Sequence, residues 1–299
     1  MVKIIVARAS DCDTIMSLVR RQYGLLNYDV NLYKKDALRM LIMGGQYKFF
    51  IAKNDDTPAG MVCLKANEHF HGTFEGCTLT VLPEFRGQGI AKQLMDRMRE
   101  EFPALNAASV FYSILTNSQL EQKREFSNGF IPTGLALNRF LYDKSAANNT
   151  ADYLRTRRHH LFMVKPLKKT TTSKLYIPPE LEAAALEMYK TLGVTITDEP
   201  CPKGKPEWVY YEKHFYSEFL NCLPFEISLG KFTNVFLDMQ NPDCISQFYE
   251  LKDKGYAFTG FKPLQSDCEF IIMHKGDLSM LKETDTLDAF DAIKSLISQ

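Results

Sequence analysis

The run Val81-Leu82-Pro83-Glu84-Phe85-Arg86-Gly87-Gln88-Gly89-Ile90-Ala91 reads as the end of a strand, a tight turn carrying two glycines, and the first turn of a helix. The helix is expected from Gly89 to about Glu101, because Ile90, Leu94, Met95 and Met98 recur at helical spacing on one face. A helix start leaves backbone N–H groups without intrahelical acceptors and carries the positive end of the macrodipole, so it suits an anion. Glycine at 87 and 89 removes the Cβ atoms that would hold a phosphate off the backbone. The stretch has the make-up of a pyrophosphate cradle. An ordinary strand-to-helix turn is the alternative, since short glycine turns are common.

Two other phosphate motifs are missing. No G-x-G-x-x-G opens a βαβ unit, which disfavours a dinucleotide site, and no Gly-Lys-Ser/Thr closes the loop as a P-loop requires. Val-x-Pro, then Phe-Arg-Gly-x-Gly-Ile-Ala, then an amphipathic helix closely resembles the coenzyme A pyrophosphate loop of the GNAT acyltransferase superfamily. The superfamily pattern Arg/Gln-x-x-Gly-x-Gly/Ala is filled by Arg86, Gly89 and Ala91.

The surrounding pattern extends the resemblance. Ile4 to Arg8 reads as a strand, followed by a helix through Tyr23 with N-cap candidates at Ser10 to Asp13. Lys34 to Met43 reads as a second helix ended by Gly44-Gly45. Tyr47–Ala52 and Ala59–Ala66 read as strands joined by a reversal at Asn54 to Pro58. Cys77–Val81 and Ala108–Leu115 are further strands, Gln119–Ser127 a short helix, and Arg139–Asp143 and Leu161–Pro166 later strands. This order is similar to the GNAT plan over residues 1 to about 167. The resemblance implies an α/β (α+β) fold with a mixed, largely antiparallel sheet flanked by helices.

A second GNAT-like signal is Asn117, a helix, and then Gly129-Phe130-Ile131-Pro132-Thr133-Gly134. Residues 168–175 are polar and aperiodic and read as a linker. An amphipathic helix is expected from Glu180 to Leu192, after Pro178 and Pro179. Further on, Gly255-Tyr256-Ala257-Phe258-Thr259-Gly260 echoes the segment 129–134, again after an Asn (Asn241) and a short helix, with a strand at Glu269–His274 to follow. No Arg-x-x-Gly-x-Gly/Ala lies between 168 and 240. Residues 168–299 therefore resemble a degenerate GNAT-like domain without a coenzyme loop, behind a GNAT domain at 1–167.

Composition narrows the partners. Lys plus Arg and Asp plus Glu number 36 each in 299 residues, so no net field draws the chain to nucleic acid or anionic lipid. Basic clusters at 155–160 and 165–174 lack the aromatic platforms of a nucleic-acid surface. The seven cysteines are scattered without a C-x-x-C pair, which argues for reduced thiols and a cytoplasmic setting. No apolar leader or membrane-length span is evident.

The resemblance implies acetyl-CoA as the coenzyme, its pyrophosphate on the amides of about Gln88 to Lys92, with Ile90 and Ala91 between them and Arg86 and Lys92 adding charge. Gly87 and Gly89 shape the loop, and the pantetheine arm is expected along Thr80, Val81 and Leu82, with Asn117 beside it. Acyl transfer to an amine needs a base for the acceptor and a donor for the leaving thiolate. Glu75 is the candidate base, facing with Cys77 and Leu79 if no bulge intervenes; a solvated carboxylate is the alternative. The superfamily often carries Tyr four residues before the Gly-Phe pair, where this chain has Glu125. Tyr112 and Tyr142 are the candidate substitutes, with packing as the alternative role. His69 and His71 could relay a proton or bind metal, and exposed loop histidines are the alternative; no metal site is assigned.

Tyrosines from Tyr23 to Tyr33, Tyr28 among them, could line an acceptor pocket. The expected function is acetyl-CoA-dependent N-acyl transfer to a small-molecule or peptide amine by direct attack in a ternary complex. A non-catalytic acyl-CoA sensor is the alternative. A homodimer through the second half would use Phe215-Tyr216, Phe219-Leu220 and Phe225.

Overall fold

A computed structural model describes residues 2–24, 27, 29–67, 72–141, 157–201, 210–212, 233–265, 268–276, 278 and 286–297. The run Phe49-Phe50-Ile51 shows how its sheet is built. All three side chains are buried, yet successive strand residues point to opposite faces. Phe49 and Ile51 join a cluster with Ile15, Leu18, Leu38 and Met61, whereas Phe50 joins a second cluster with Leu94, Met98 and Leu64. A sheet covered on both faces reads as a continuous apolar run, and that is what these strands show.

The first half runs β1 (Val2–Val6), α1 (Cys12–Tyr23), α2 (Lys35–Met43), β2 (Tyr47–Asn54), β3 (Thr57–Ala66), β4 (Thr73–Val81), α3 (Ile90–Arg99), β5 (Ser109–Leu115), α4 (Gln119–Ser127), β6 (Ile131–Leu141) and β7 (Arg157–Pro166). Helices α1 and α2 cover one face and α3 the other. The expected elements are present as far as they are described; the strand expected at Arg139–Asp143 is the end of β6 up to Leu141, and β4 and β6 begin earlier than the apolar pattern alone indicated.

Past residue 167 come β8 (Thr171–Thr172), α5 (Pro179–Thr191), β9 (Thr195–Ile196), β10 (Tyr210–Glu212), β11 (Thr233–Asp238), α6 (Cys244–Asp253), β12 (Ala257–Gln265), β13 (Cys268–Lys275) and α7 (Asp291–Ile297). The segment expected to be a plain linker contains β8, which pairs in parallel with β9 across the α5 crossover. Tyr28, His69, His71, Tyr142 and the aromatics of 215–225 lie outside the described residues.

Among the described residues one sheet has the order β1-β2-β3-β4-β5-β7-β6-β12-β13-β11-β10, and β4 with β5 is its one parallel pair. The fold is α/β with a large, mostly antiparallel sheet flanked by helices. The two parts of the chain meet at β6 and β12, where Gly134 and Gly260 are Cα partners. Beyond this seam β11, α6, β12 and β13 repeat the order and pairing of β5, α4, β6 and β7. A single buried cluster runs from Phe50 through Phe162 and Phe261 to Ile297.

Candidate active site

Strands β4 and β5 pair only from Thr73–Gly76 to Ser109–Tyr112. Beyond Gly76 and Tyr112 both strands continue, and among the described residues no ladder joins them. The outer part of β4, Cys77 to Val81, therefore keeps backbone groups along one edge for a ligand to use.

The β3–β4 register explains the departure. Cys63 opposes Cys77 and Met61 opposes Thr80, so β4 carries one extra residue, and Thr78 takes a φ of 56°. A bulge of this kind reverses the facing of every residue after it. Cys77 packs with the α1/α2 cluster, whereas Leu79 and Val81 pack with the α3 cluster. The single odd-numbered face expected for Glu75, Cys77 and Leu79 is corrected accordingly: the bulge splits it between Cys77 and Leu79. Thr80 turns back toward α1, its buried Oγ1 donating to the Tyr23 hydroxyl at 3.2 Å.

Glu75 is half-buried and opposes Lys65 on one side and Phe111 on the other. Lys65 donates to Asp29 at 3.1 Å, and the Tyr47 hydroxyl donates to the same carboxylate at 2.5 Å. Burial alone would lower the Lys65 pKa; the carboxylate of Asp29 beside it outweighs this, Glu75 adds to it, and the ammonium stays charged. Asp29 also accepts from the Asn31 amide, so it ties the α1–α2 connection to β2 and β3. Sequence reasoning passed over Asp29 and Lys65. The Asp-x-Asn step was a readable turn signal, but its link to Lys65 spans 36 positions.

The glycine turn is held from below. Leu82 is buried and its amide donates to Ala59, then a short turn over Pro83–Phe85 leads out to Arg86. Gly87 and Gly89 have φ of 76° and 70°, and a Cβ at either would meet nothing within 4 Å. Their space is open on the side where the chain turns. The first bond into α3 is Gln93 to the Gly89 carbonyl, leaving the amides of Gly87, Gln88, Gly89, Ile90, Ala91 and Lys92 without backbone acceptors among the described residues. Ile90 is buried and anchors the helix start, while Gly87, Gln88, Gly89 and Lys92 are exposed and Ala91 is half-buried.

The two cations of the loop have partners within the chain. Arg86 donates from Nε to the Val81 carbonyl at 3.1 Å and from Nη2 to Gln22 at 3.4 Å. Lys92 pairs with Asp96 at 2.6 Å, and Arg21 with Glu84 at 2.6 Å. These pairs are exposed, so an anion arriving at the loop meets little resistance to re-pairing.

On the α3 face Tyr112 is buried and stacks on Phe130 with ring centroids 4.2 Å apart. Burial pushes its phenol well above the ordinary range; the charge of Glu125 adds to this, and Arg99 and Arg124 oppose it. Glu125 is fully buried, receiving Arg99 Nη1 at 3.1 Å and Arg124 Nε at 2.6 Å. Sequence reasoning singled out Glu125 as a departure but missed the two arginines that hold it.

Asn117 is exposed in the turn after β5, one residue outside the N-cap Ser118. Gln122 Nε2 donates to the Thr116 carbonyl at 3.0 Å and fixes α4 against the end of β5. The structure thus groups Thr80, Val81, Leu82 and residues 86–92 along one path, with Glu75 and Tyr112 near its inner end on opposite faces of the sheet. Among the described residues no cluster of three or more His, Cys, Asp or Glu could hold a metal ion. No helix among them is long and apolar enough to cross a membrane.

Residues 13–130 match the model of the Acetyltransferase (GNAT) family. Among curated proteins none matches the sequence. Similar solved structures include yncA of Salmonella typhimurium, solved with acetyl-CoA, at 15% identity over 56% of this chain and 95% of its own, with a TM-score of 0.45. An N-acetyltransferase of Staphylococcus aureus Mu50 aligns at 17% identity over 56% of this chain and 99% of its own, TM-score 0.45. A GNAT-family acetyltransferase of Streptococcus pneumoniae aligns at 12% identity over 56% and 99%, TM-score 0.44.

Proposed function

We propose that residues 1–167 form the catalytic unit of an N-acyltransferase that moves an acetyl group from acetyl-CoA to an amine by direct attack in a ternary complex. The observation that carries the reading is the parting of β4 from β5 directly below a glycine turn with unclaimed amides. The residues present fit the coenzyme on that ground. The amides from Gln88 to Lys92 would receive the pyrophosphate, with Arg86 and Lys92 alongside. The side of β4 that β5 leaves unpaired, at Thr80 to Leu82, would receive the amide-bearing arm once Arg86 releases the Val81 carbonyl, and Asn117 lies at the mouth on the β5 side.

Acetyl-CoA supplies an activated acyl carbon and a thiolate leaving group. Glu75 takes a proton from the acceptor amine, on the face shared with Lys65, Asp29 and Tyr47. Tyr112 stays a neutral phenol and contributes a hydrogen-bond donor at the inner end of the cleft. The acceptor is a small-molecule or peptide amine approaching from the α1–α2 side, and its identity is a question for a screen. A cytoplasmic setting fits the six described cysteines, all free thiols.

Residues 168–299 we read as an accessory GNAT-like domain. Its β11 corresponds to β5, but β10 pairs with β11 from Tyr210↔Phe236 to Glu212↔Asn234, along the edge that in the first unit is the cleft. One coenzyme per chain follows.

Calorimetric titration of acetyl-CoA into wild type and Gly89→Glu tests the site. Binding by wild type alone is the expected result; equal binding by both would remove the loop assignment. Glu125, locked between two arginines where a proton donor is usual, favours the second reading, an acyl-CoA sensor without turnover. Release of free thiol with any amine in a screen decides against the sensor. Sedimentation of the full chain reads whether it also forms a homodimer.

A further inference from the structure

We propose that Cys63 and Cys77 are a redox-active pair that closes to a reversible disulfide between β3 and β4. The two residues are direct Cα partners in antiparallel strands. Such partners stand about 4.5 to 5.5 Å apart, within the range of about 4.4 to 6.8 Å that a disulfide spans. Both side chains turn to the α1/α2 face and belong to the same apolar cluster.

Their surroundings assign each thiol a part. Cys77 is partly exposed, so it is the sulfur that a dissolved oxidant meets. Cys63 is fully enclosed, and burial pushes its thiol well up. It therefore resolves rather than initiates. With a low-molecular-weight disulfide as oxidant, the Cys77 thiolate attacks one sulfur and expels one thiolate, leaving a mixed disulfide. Cys63 then loses its proton, attacks the Cys77 sulfur and expels the second thiolate. Two protein thiols are oxidised, one external disulfide is reduced, and the protons end on the two released thiols.

The bond would form next to Thr78, the residue at which β4 bulges away from regular pairing. It would fasten the strand that borders the cleft to its neighbour on the side away from β5. The bearing of this fastening on acetyl transfer rests on the function proposed above; the linkage itself does not.

The test uses the full chain, reduced and then equilibrated with oxidised glutathione, alkylated with iodoacetamide, digested and mapped without reduction. The expected product is a peptide pair joined through Cys63 and Cys77, two hydrogens lighter than its separate halves and parted by a reductant. Cys77→Ser should remove that product and leave Cys63 free of glutathione. Recovery of both cysteines alkylated overturns the proposal. So does a lasting glutathione adduct on Cys77 with Cys63 unlinked, or a bond from either to another cysteine. No coenzyme or acceptor enters the assay, so the peptide map reads the same whether or not the chain binds acetyl-CoA.

Discussion

Gly134 of β6 and Gly260 of β12 face each other across the seam of the sheet and also hold the same place in two related segments, Thr133-Gly134 and Thr259-Gly260. Each follows a register shift, between Pro132 and Gly134 in one case and between Phe258 and Gly260 in the other. A local two-fold relation thus runs through the pair. A Cβ on Gly134 would stand 2.6 Å from the Phe261 carbonyl oxygen, and one on Gly260 would strike the Gly134 Cα. Gly260 also takes a φ of 130°, a region that side-chain-bearing residues rarely enter.

Gly260→Val therefore combines backbone strain with a collision, and it should lower unfolding free energy by on the order of 3 kcal/mol. Urea unfolding followed by fluorescence checks this. Because the core is continuous across the seam, both parts should loosen together.

Glu269 makes stability depend on pH. It is completely buried, accepting from the Leu264 amide and the Tyr189 hydroxyl, each at 2.8 Å. Burial lifts its pKa from 4.5 to about 7; bonds from Leu264, Tyr189 and Thr172 oppose the rise and the charge of Asp238 adds to it. Folding thus takes up a proton between these values. The associated stability is fully present below about pH 4.5 and is lost as pH rises through 7, with a span of roughly 3 kcal/mol. Glu269→Gln should flatten this slope between pH 5 and 8 relative to wild type in paired chemical-denaturation curves.

Glu125→Leu should take the buried carboxylate from Arg99 and Arg124, leaving them Asp96 and Glu121 nearer the surface, and cost about 3 kcal/mol. Glu125→Gln is milder and has a second readout. Burial would still hold the Tyr112 phenol up, but removing the Glu125 charge takes away one raising influence while Arg99 and Arg124 remain, so its pKa should fall. Ultraviolet titration of the tyrosines would register it.

Glu75→Gln should reduce kcat by about a hundredfold or more if the carboxylate takes the acceptor proton, with acetyl-CoA binding unchanged. Thiol release with an amine identified by screening, beside calorimetry of the coenzyme, separates the two effects. Equal loss of both would make Glu75 a structural partner of Lys65 instead.

Local pattern carried much of this molecule. The amphipathic face of Ile90, Leu94, Met95 and Met98 marked α3, and the two glycines before it marked the turn. The echo between 129–134 and 255–260 pointed to the segments that meet at the seam. What stayed hidden was set by contacts distant in sequence. The β4 bulge depends on how Met61 and Cys63 pair with another strand, and nothing in Cys77-Thr78-Leu79 calls for a positive φ at threonine. The ring of Arg99, Glu125 and Arg124 joins two helices 26 positions apart, and no spacing rule within either helix announces it.

The seam between β6 and β12 has a practical side. Cutting the chain after residue 167 would strip β12 from β6 and bare the strand edge at Gly134. An uncovered strand edge of that kind recruits other edges. The isolated first half should therefore stick to itself, and any self-association it shows would report the missing neighbour, not a habit of the intact protein.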